Sequence, residues 1–337
     1  MRSFHRLCFA TLIAVYVLIL VGGIVRSSGS GMGCPDWPRC FGRWVPPTSV
    51  EELPDDYQSY YVKYRHRKNL RFAKYLTAFG LDDTANELIH DESIREETAF
   101  NPAKTWIEYF NRLVGVTIGF LIFAVAATSL RFWKRERAMT LIAVLSFLLV
   151  AFQGWLGSIV VSTNLTPWTI TLHMFLALLI VVLLVYLTQR SGGRSDQRAD
   201  AVPAGWVLAC MGVLSIQILW GTRVRESIDQ ISAELARSEW ISSLGLDFFL
   251  HRSFSWVVLI LHVGLITKLV KTQSSKVFPL TLILLILGTI LSGTGMAYFA
   301  VPPYLQPVHL LMATATFGML SYLLFEIVTT KKTSLAQ

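Results

Sequence analysis

The sequence predicts an all-α polytopic membrane protein. It has eight transmembrane helices arranged as two tandem, repeat-related four-helix bundles, with both termini cytoplasmic. Three observations lead there. Hydrophobic residues make up 53% of the 337 and charged residues only 15%, against about 25% charged in soluble domains, and the mean hydropathy is +0.51. Apolar runs recur at the length of about 20 residues that crosses a bilayer as a helix. Short segments rich in Lys and Arg alternate strictly with the other connections, the two shortest of which have none. A soluble enzyme is excluded, and the net charge of +8 is spread over short loops rather than gathered on one face, which disfavours nucleic acid as a partner.

The apolar runs lie at about 5–26, 106–130, 138–162, 168–188, 203–224, 249–270, 276–297 and 303–328. The first has a basic start, Arg2 and Arg6, that would also suit a signal peptide. Its apolar core from Phe9 to Ile24 is long, however, and no small-residue cleavage site follows, so it reads as a helix. Lys and Arg are retained on the cytoplasmic side. The basic segments hold Arg2 and Arg6, then Arg131, Lys134, Arg135 and Arg137, then Arg190, Arg194 and Arg198, then Lys268, Lys271 and Lys276, and finally Lys331 and Lys332. The connections at Thr163–Pro167 and Ala297–Pro303 carry neither residue type. The segment from Ser27 to Thr105 therefore lies outside, and it is too long for its own charges to count. The resulting division is a first bundle over 1–190, including the outer loop 27–105, a cytoplasmic linker over 191–202, and a second bundle over 203–330.

The repeat is visible residue by residue. Gly-Gly-Ile-Val-Arg26 ends the first span and Gly-Thr-Arg-Val-Arg225 the fifth. Asn111-Arg112 opens the second and His251-Arg252 the sixth, while His173 and His309 stand at matching places in the fourth and eighth. The outer loop is an insertion peculiar to the first half. Within it, Cys34 and Cys40 flank Pro-Asp-Trp-Pro-Arg, and in an oxidising compartment they suit a disulfide first, then a reactive dithiol pair, then a metal site that lacks a nearby His. Cys8 and Cys210 fall inside apolar helices and read as buried small residues.

His173, His251 and His309 should share one depth near the outer face, and intramembrane ionisable groups default to function. His251 and His309 begin two helices of one bundle, the arrangement that holds a heme iron from both axial sides. His262, deeper on the same helix as His251, is the runner-up ligand or a packing residue. The first-half counterparts are Asn111, a poor iron ligand, and His173. Glu108 lies one turn before Asn111 on the same helix face, where the second half has Phe248. It suits a catalytic site confined to one bundle, or else a helix N-terminal carboxylate favoured by the dipole. Arg26, Arg112, Arg225 and Arg252 suit heme propionates or interfacial snorkelling. Gly154, Gly157, Gly293 and Gly295 would let helices or a flat macrocycle approach closely.

Together the runs Gly-Ser-Gly-Met-Gly-Cys-Pro-Asp-Trp-Pro-Arg-Cys-Phe-Gly42, Glu-Tyr-Phe-Asn-Arg112, Leu-Thr-Pro-Trp-Thr-Ile-Thr-Leu-His173, Leu-His-Arg252 and Gln-Pro-Val-His309 resemble the heme A synthase family of cytochrome oxidase assembly. The resemblance covers nearly all eight helices. It implies oxidation of the C8 methyl of heme O to a formyl group by successive hydroxylations. It also implies a heme b cofactor on His251 and His309, and a substrate heme in the first bundle held by His173. Glu108 matches the acid of the family's Glu-x-x-His-Arg pattern, with Arg112 as its Arg, and Asn111 departs from that pattern at the first histidine. The departure suggests that His173 alone ligates the substrate iron and that Asn111 offers a hydrogen bond at an open position. Cys34 and Cys40 also match, bracing the loop over this site or taking part in redox exchange. Residues from about 43 to 100 have no pattern that can be placed.

The implied partners are heme O, the protoheme farnesyltransferase that makes it, oxidase assembly proteins and membrane lipid, and the sequence leaves a homo-oligomer open. A bacterial inner membrane is expected, because the N-terminus lacks an Arg-rich, Ser-rich transit segment. Two readings compete. A membrane cytochrome b passing electrons between quinol and a partner shares the His251 and His309 argument but leaves Glu108 without a task. A heme carrier built on the repeat would place its site at the midplane rather than near one face.

Overall fold

The computed structural model describes residues 1–91, 99–192, 202–232, 234–272 and 276–334. Among the described residues the regular elements are all helices, among them α1 (Arg2–Ser27), α2 (Tyr57–Ala78), α3 (Asp82–His90), α4 (Pro102–Ser129), α5 (Arg137–Ser162), α6 (Pro167–Gly192), α7 (Ala204–Ile231), α8 (Trp240–Ser243), α9 (Leu246–Thr272), α10 (Val277–Tyr298) and α11 (Leu305–Ser334). All of these except α2, α3 and the single turn α8 are long and apolar enough to cross a membrane, and they coincide with the eight expected spans. Most of the expected linker, with Arg194 and Arg198, lies outside the described residues.

Local chemistry sets the helix ends. Asn101 caps α4 by accepting from the Lys104 backbone N–H at 3.1 Å, with Pro102 in the first turn. The fifth span runs past its expected end near 224 to Ile231, because Arg225 and Asp229 pair one turn apart on its polar extension. The two outer connections repeat one turn. Asn164 and Leu165, and likewise Ala300 and Val301, take positive φ between 50° and 60°. Leu165 N–H donates to Val160 O, and Val301 N–H to Met296 O, each at 2.9 Å.

In the first half α1 packs on α4 and α6, α4 on α5, and α5 on α6. In the second half α7 packs on α9 and α11, and α10 on α9 and α11. The halves meet where α11 lies against α1 and α6. One apolar core holds Phe4, Ile122, Val125 and Leu184, and a second holds Leu214, Leu265, Leu282 and Leu320. Leu178 of α6 belongs to the second core, and Tyr322 and Phe325 of α11 pack on the first.

The outer segment, where the sequence shows no placeable pattern, contains α2 and α3. The buried residues of α2 are Tyr61, Arg65, Asn69, Phe72, Ala73 and Leu76, a single stripe at helical spacing. Two of the six are polar, which hides the stripe from a reading of hydrophobicity alone. Phe72 stacks on Trp168 and meets Trp155 edge-on, seating α2 over the outer ends of α5 and α6.

Candidate functional site

His251 of α9 and His309 of α11 face each other with ring centroids 6.4 Å apart. Each ring donates through Nδ1 to a backbone carbonyl of a neighbouring helix, His251 to Gln217 O at 3.2 Å and His309 to Thr289 O at 2.9 Å. A carbonyl can only accept, so the proton sits on Nδ1 and the Nε2 lone pair is left for a ligand. Two imidazoles sharing one metal, each about 2 Å from it through Nε2, have ring centres roughly 6 Å apart. The pair fits an iron between them. Among the described residues no three His, Cys, Asp or Glu side chains gather into a metal cage.

Glycines of neighbouring helices admit these rings. A Cβ built on Gly221 would lie 3.2 Å from His251 Cε1, and one on Gly293 would lie 3.0 Å from His309 Cε1. In the first half, a Cβ on Gly157 would lie 3.3 Å from His173 Cε1, and one on Gly22 would lie 3.9 Å from Asn111 Oδ1. Four positions, three histidines and one asparagine, are thus each set against a glycine. Of the glycines singled out in the sequence, Gly157 and Gly293 serve this purpose, Gly295 faces Leu305, and Gly154 faces open space. Gly22 and Gly221 escape sequence reasoning, although both belong to the repeat motifs that end in Arg26 and Arg225.

The first-half pair differs in its bonding. His173 Nδ1 and Asn111 Oδ1 are buried and have no hydrogen-bond partner among the described residues. The His173 carbonyl is held by Gln153 Nε2 at 2.6 Å, as the His251 carbonyl is by Gln217 Nε2 at 2.9 Å. Two buried, unpartnered polar atoms at the expected substrate position mark a place where a polar or metal-bearing group is wanted. His262 is fully buried, its Nδ1 bonded to Val258 O at 2.7 Å and its Nε2 without a partner among the described residues.

Cys34 and Cys40 are joined by a disulfide, and both are buried. Their loop sits on the outer end of α4. Glu108, 2% exposed, accepts from Cys34 N–H at 2.9 Å and from Arg112 Nη2 at 2.5 Å. Arg112 also donates to the carbonyls of Cys34, Asp36 and Arg39. Both therefore face the loop. Arg26 and Arg225 are joined by a residue that sequence reasoning missed: Asp229 accepts from Arg26 and, at 2.7 Å, from Arg225. Arg225 also donates to Gln306 Oε1 at 2.7 Å, and Arg252 is exposed. Of the four arginines, three are thus engaged by the protein itself.

A family model described as cytochrome oxidase assembly protein (COX15-CtaA) matches residues 5–79 and 83–321. The chain belongs to this family. Among its relatives, the heme A synthase of Shewanella oneidensis is 25% identical over 264 residues, covering 75% of this chain and 68% of that protein. The heme A synthase of Shouchella clausii is 23% identical over 342 residues, 96% of each chain. That of Geobacillus kaustophilus is 20% identical over 352 residues, 98% of this chain and 93% of the other. The family match extends through α2 and α3, which the sequence alone leaves unplaced. It breaks only at residues 80–82, where Gly80 takes a φ of 76° between those two helices.

Proposed function

We propose that the protein is a heme A synthase, a membrane oxidoreductase that converts the C8 methyl of heme O to the formyl group of heme A for cytochrome oxidase. Its relatives carry that name along the full chain. The observation that carries the division of labour is the His251–His309 pair, 6.4 Å apart, opposed to a first bundle whose matching pair is Asn111 and His173. One half is built to keep a heme and the other to work on one. Two hydroxylations take the methyl to a hydrated aldehyde, and loss of water leaves the formyl.

The C-terminal bundle, residues 203–330, holds heme b through His251 and His309, and that group supplies one-electron redox chemistry. The N-terminal bundle, residues 1–190, takes heme O. His173 is the protein ligand to the substrate iron, and Asn111 offers its amide at the opposite position. Arg112 organises the loop above, and Glu108 is the buried carboxylate beneath it that would hold or move a proton near the reacting methyl. Its burial keeps water away and makes each proton position count. Arg26 and Arg225 reach propionates by exchanging Asp229 for a heme carboxylate, and exposed Arg252 is free to do so directly. The two bundles are tandem repeats, supported by the matched glycines and the matched outer turns. With cytoplasmic termini in a bacterial cell membrane, both heme sites lie near the outer face, where heme O arrives from its farnesyltransferase.

Co-expression with a source of heme O in a host lacking heme A, followed by mass identification of extracted hemes, tests this. The expected result is heme A or its hydroxylated precursor, lost in His173→Ala and Glu108→Ala. Protoheme alone, lost only with His251 or His309, would overturn the synthase reading and leave an electron-transfer cytochrome.

A further inference from the structure

We propose that Arg112 and Glu108 form a latch that holds the Cys34–Cys40 loop closed as a gate over the first bundle, and that release of this latch admits heme O and lets the product leave. The inference rests on the reading that heme O binds in the first bundle.

The geometry is that of a fastening. From α4, the Arg112 guanidinium donates to Cys34 O at 2.7 Å, Asp36 O at 2.5 Å, Arg39 O at 3.1 Å and Glu108 Oε1 at 2.5 Å. Its planar fork of five N–H donors suits several acceptors at once, which a lysine ammonium on the same stem would not match. The second oxygen of Glu108 accepts the Cys34 N–H, so one ion pair holds both the N–H and the carbonyl of Cys34. The loop is rigid in itself: the disulfide closes it, Gly42 N–H donates to Asp36 Oδ2 at 2.9 Å, and Cys40 and Arg43 exchange backbone hydrogen bonds. A preformed cap of this kind can move as a unit. Its other side rests on Phe41, which packs edge-on against Tyr57, Tyr61 and Phe100, an apolar seat about which it can swing.

The second bundle shows what the latch is for. At the positions of Glu108 and Arg112 it has Phe248 and the exposed Arg252, so the two fastening groups do not meet there. A brace needed merely to hold a four-helix bundle together would serve either half equally. A heme that stays needs no door, whereas a substrate as large as heme O must enter and its product must leave. Within this scheme Arg112 is a positioning residue, and closure of the loop sets which bonds Glu108 makes.

The test uses the full chain in lipid nanodiscs with its resident heme. The rate at which a membrane-impermeant phosphine reduces Cys34–Cys40 is read by maleimide-polyethylene glycol gel shift, and uptake of added heme O is followed optically. Both cysteines are fully buried, so reduction reports opening. Arg112→Ala should speed reduction roughly tenfold or more, the effect of losing charge-assisted hydrogen bonds on a local opening equilibrium. It should also speed heme O uptake, while the low-spin spectrum from His251 and His309 is unchanged. Arg112→Lys, which keeps the charge without the fork, should fall between, and it stands in if the alanine variant does not accumulate. Unchanged reduction, or faster reduction with unchanged uptake, overturns the gate. Uptake that persists in His173→Ala would instead show that heme O does not enter the first bundle, a failure of the underlying reading that the reduction rates would leave visible as separate.

Discussion

At the residue scale, the sharpest features are glycines that leave room for an imidazole. A methyl group at Gly293 would sit 3.0 Å from His309 Cε1, closer than ordinary van der Waals contact. The adjacent Nδ1 of the ring is held by Thr289 O and Ser292 Oγ of the same helix. Overpacking of this kind costs about 1–3 kcal/mol, and here the least costly relief is to turn the ring off its axis. Gly293→Ala should therefore lose most of the bound heme or shift it out of the low-spin state, while Gly154→Ala, which meets open space, should keep it. Optical spectra of the two purified variants decide the matter, and equal heme content in both would remove the glycine argument. Asn111 gives a second prediction at this scale. Asn111→His restores two opposed histidines beside Gly22, so bound heme O should become low-spin and turnover should fall several-fold, as an open position is closed. A variant that is low-spin and more active would show that the open position has no role.

At the scale of elements, α2 acts as a cap on α5. Lys68 Nζ donates to Ser158 O and Asn69 Nδ2 to Ser162 O, each at 2.8 Å, and the second fills a carbonyl of the helix's last turn. Burial, with Arg112 nearby, lowers the Lys68 ammonium to about 8 from its usual 10.5. Between these values the unfolded chain binds more protons than the folded one, so this group makes stability rise with pH from about 8 to about 10.5. Thermal unfolding midpoints measured across that window should climb for the native chain relative to Lys68→Met; parallel curves would exclude the role. The same helix shows where sequence reading stops. The eight spans are legible because lipid demands long apolar runs, and His251 and His309 are legible because a charged or ligating group is costly at that depth. The stripe of α2 is hidden because Arg65 and Asn69 sit where an apolar residue would be expected. Asp229 is hidden because a charged residue near a helix end looks interfacial until its two arginines are seen.

At the scale of the whole molecule, the two halves are unlike in chemistry yet share one interior. The α11 helix packs on α1 and α6 as well as on its own bundle, and Pro307 lies so close to Gly23 that a Cβ there would meet it at 2.8 Å. At the outer end, Asp229 of α7 ties Arg26 of α1 to Arg225, and Arg225 reaches Gln306 of α11. Taking the carboxylate away would leave two partly buried guanidinium groups facing each other, each with a buried Nε that lacks a partner among the described residues. Losing a charged hydrogen-bond partner in such surroundings costs about 1–3 kcal/mol. All of these contacts lie among the described residues of 1–192 and 202–334. Residues 1–192 and 202–337, co-expressed as two chains, should therefore assemble and purify together from detergent with heme still held by the second. Asp229→Ala should lower the recovered first fragment several-fold without changing the spectrum of that heme, because His251 and His309 belong to the second fragment alone. If the fragments part regardless of Asp229, the halves are held by their covalent connection, and the junction at the outer face does not join them.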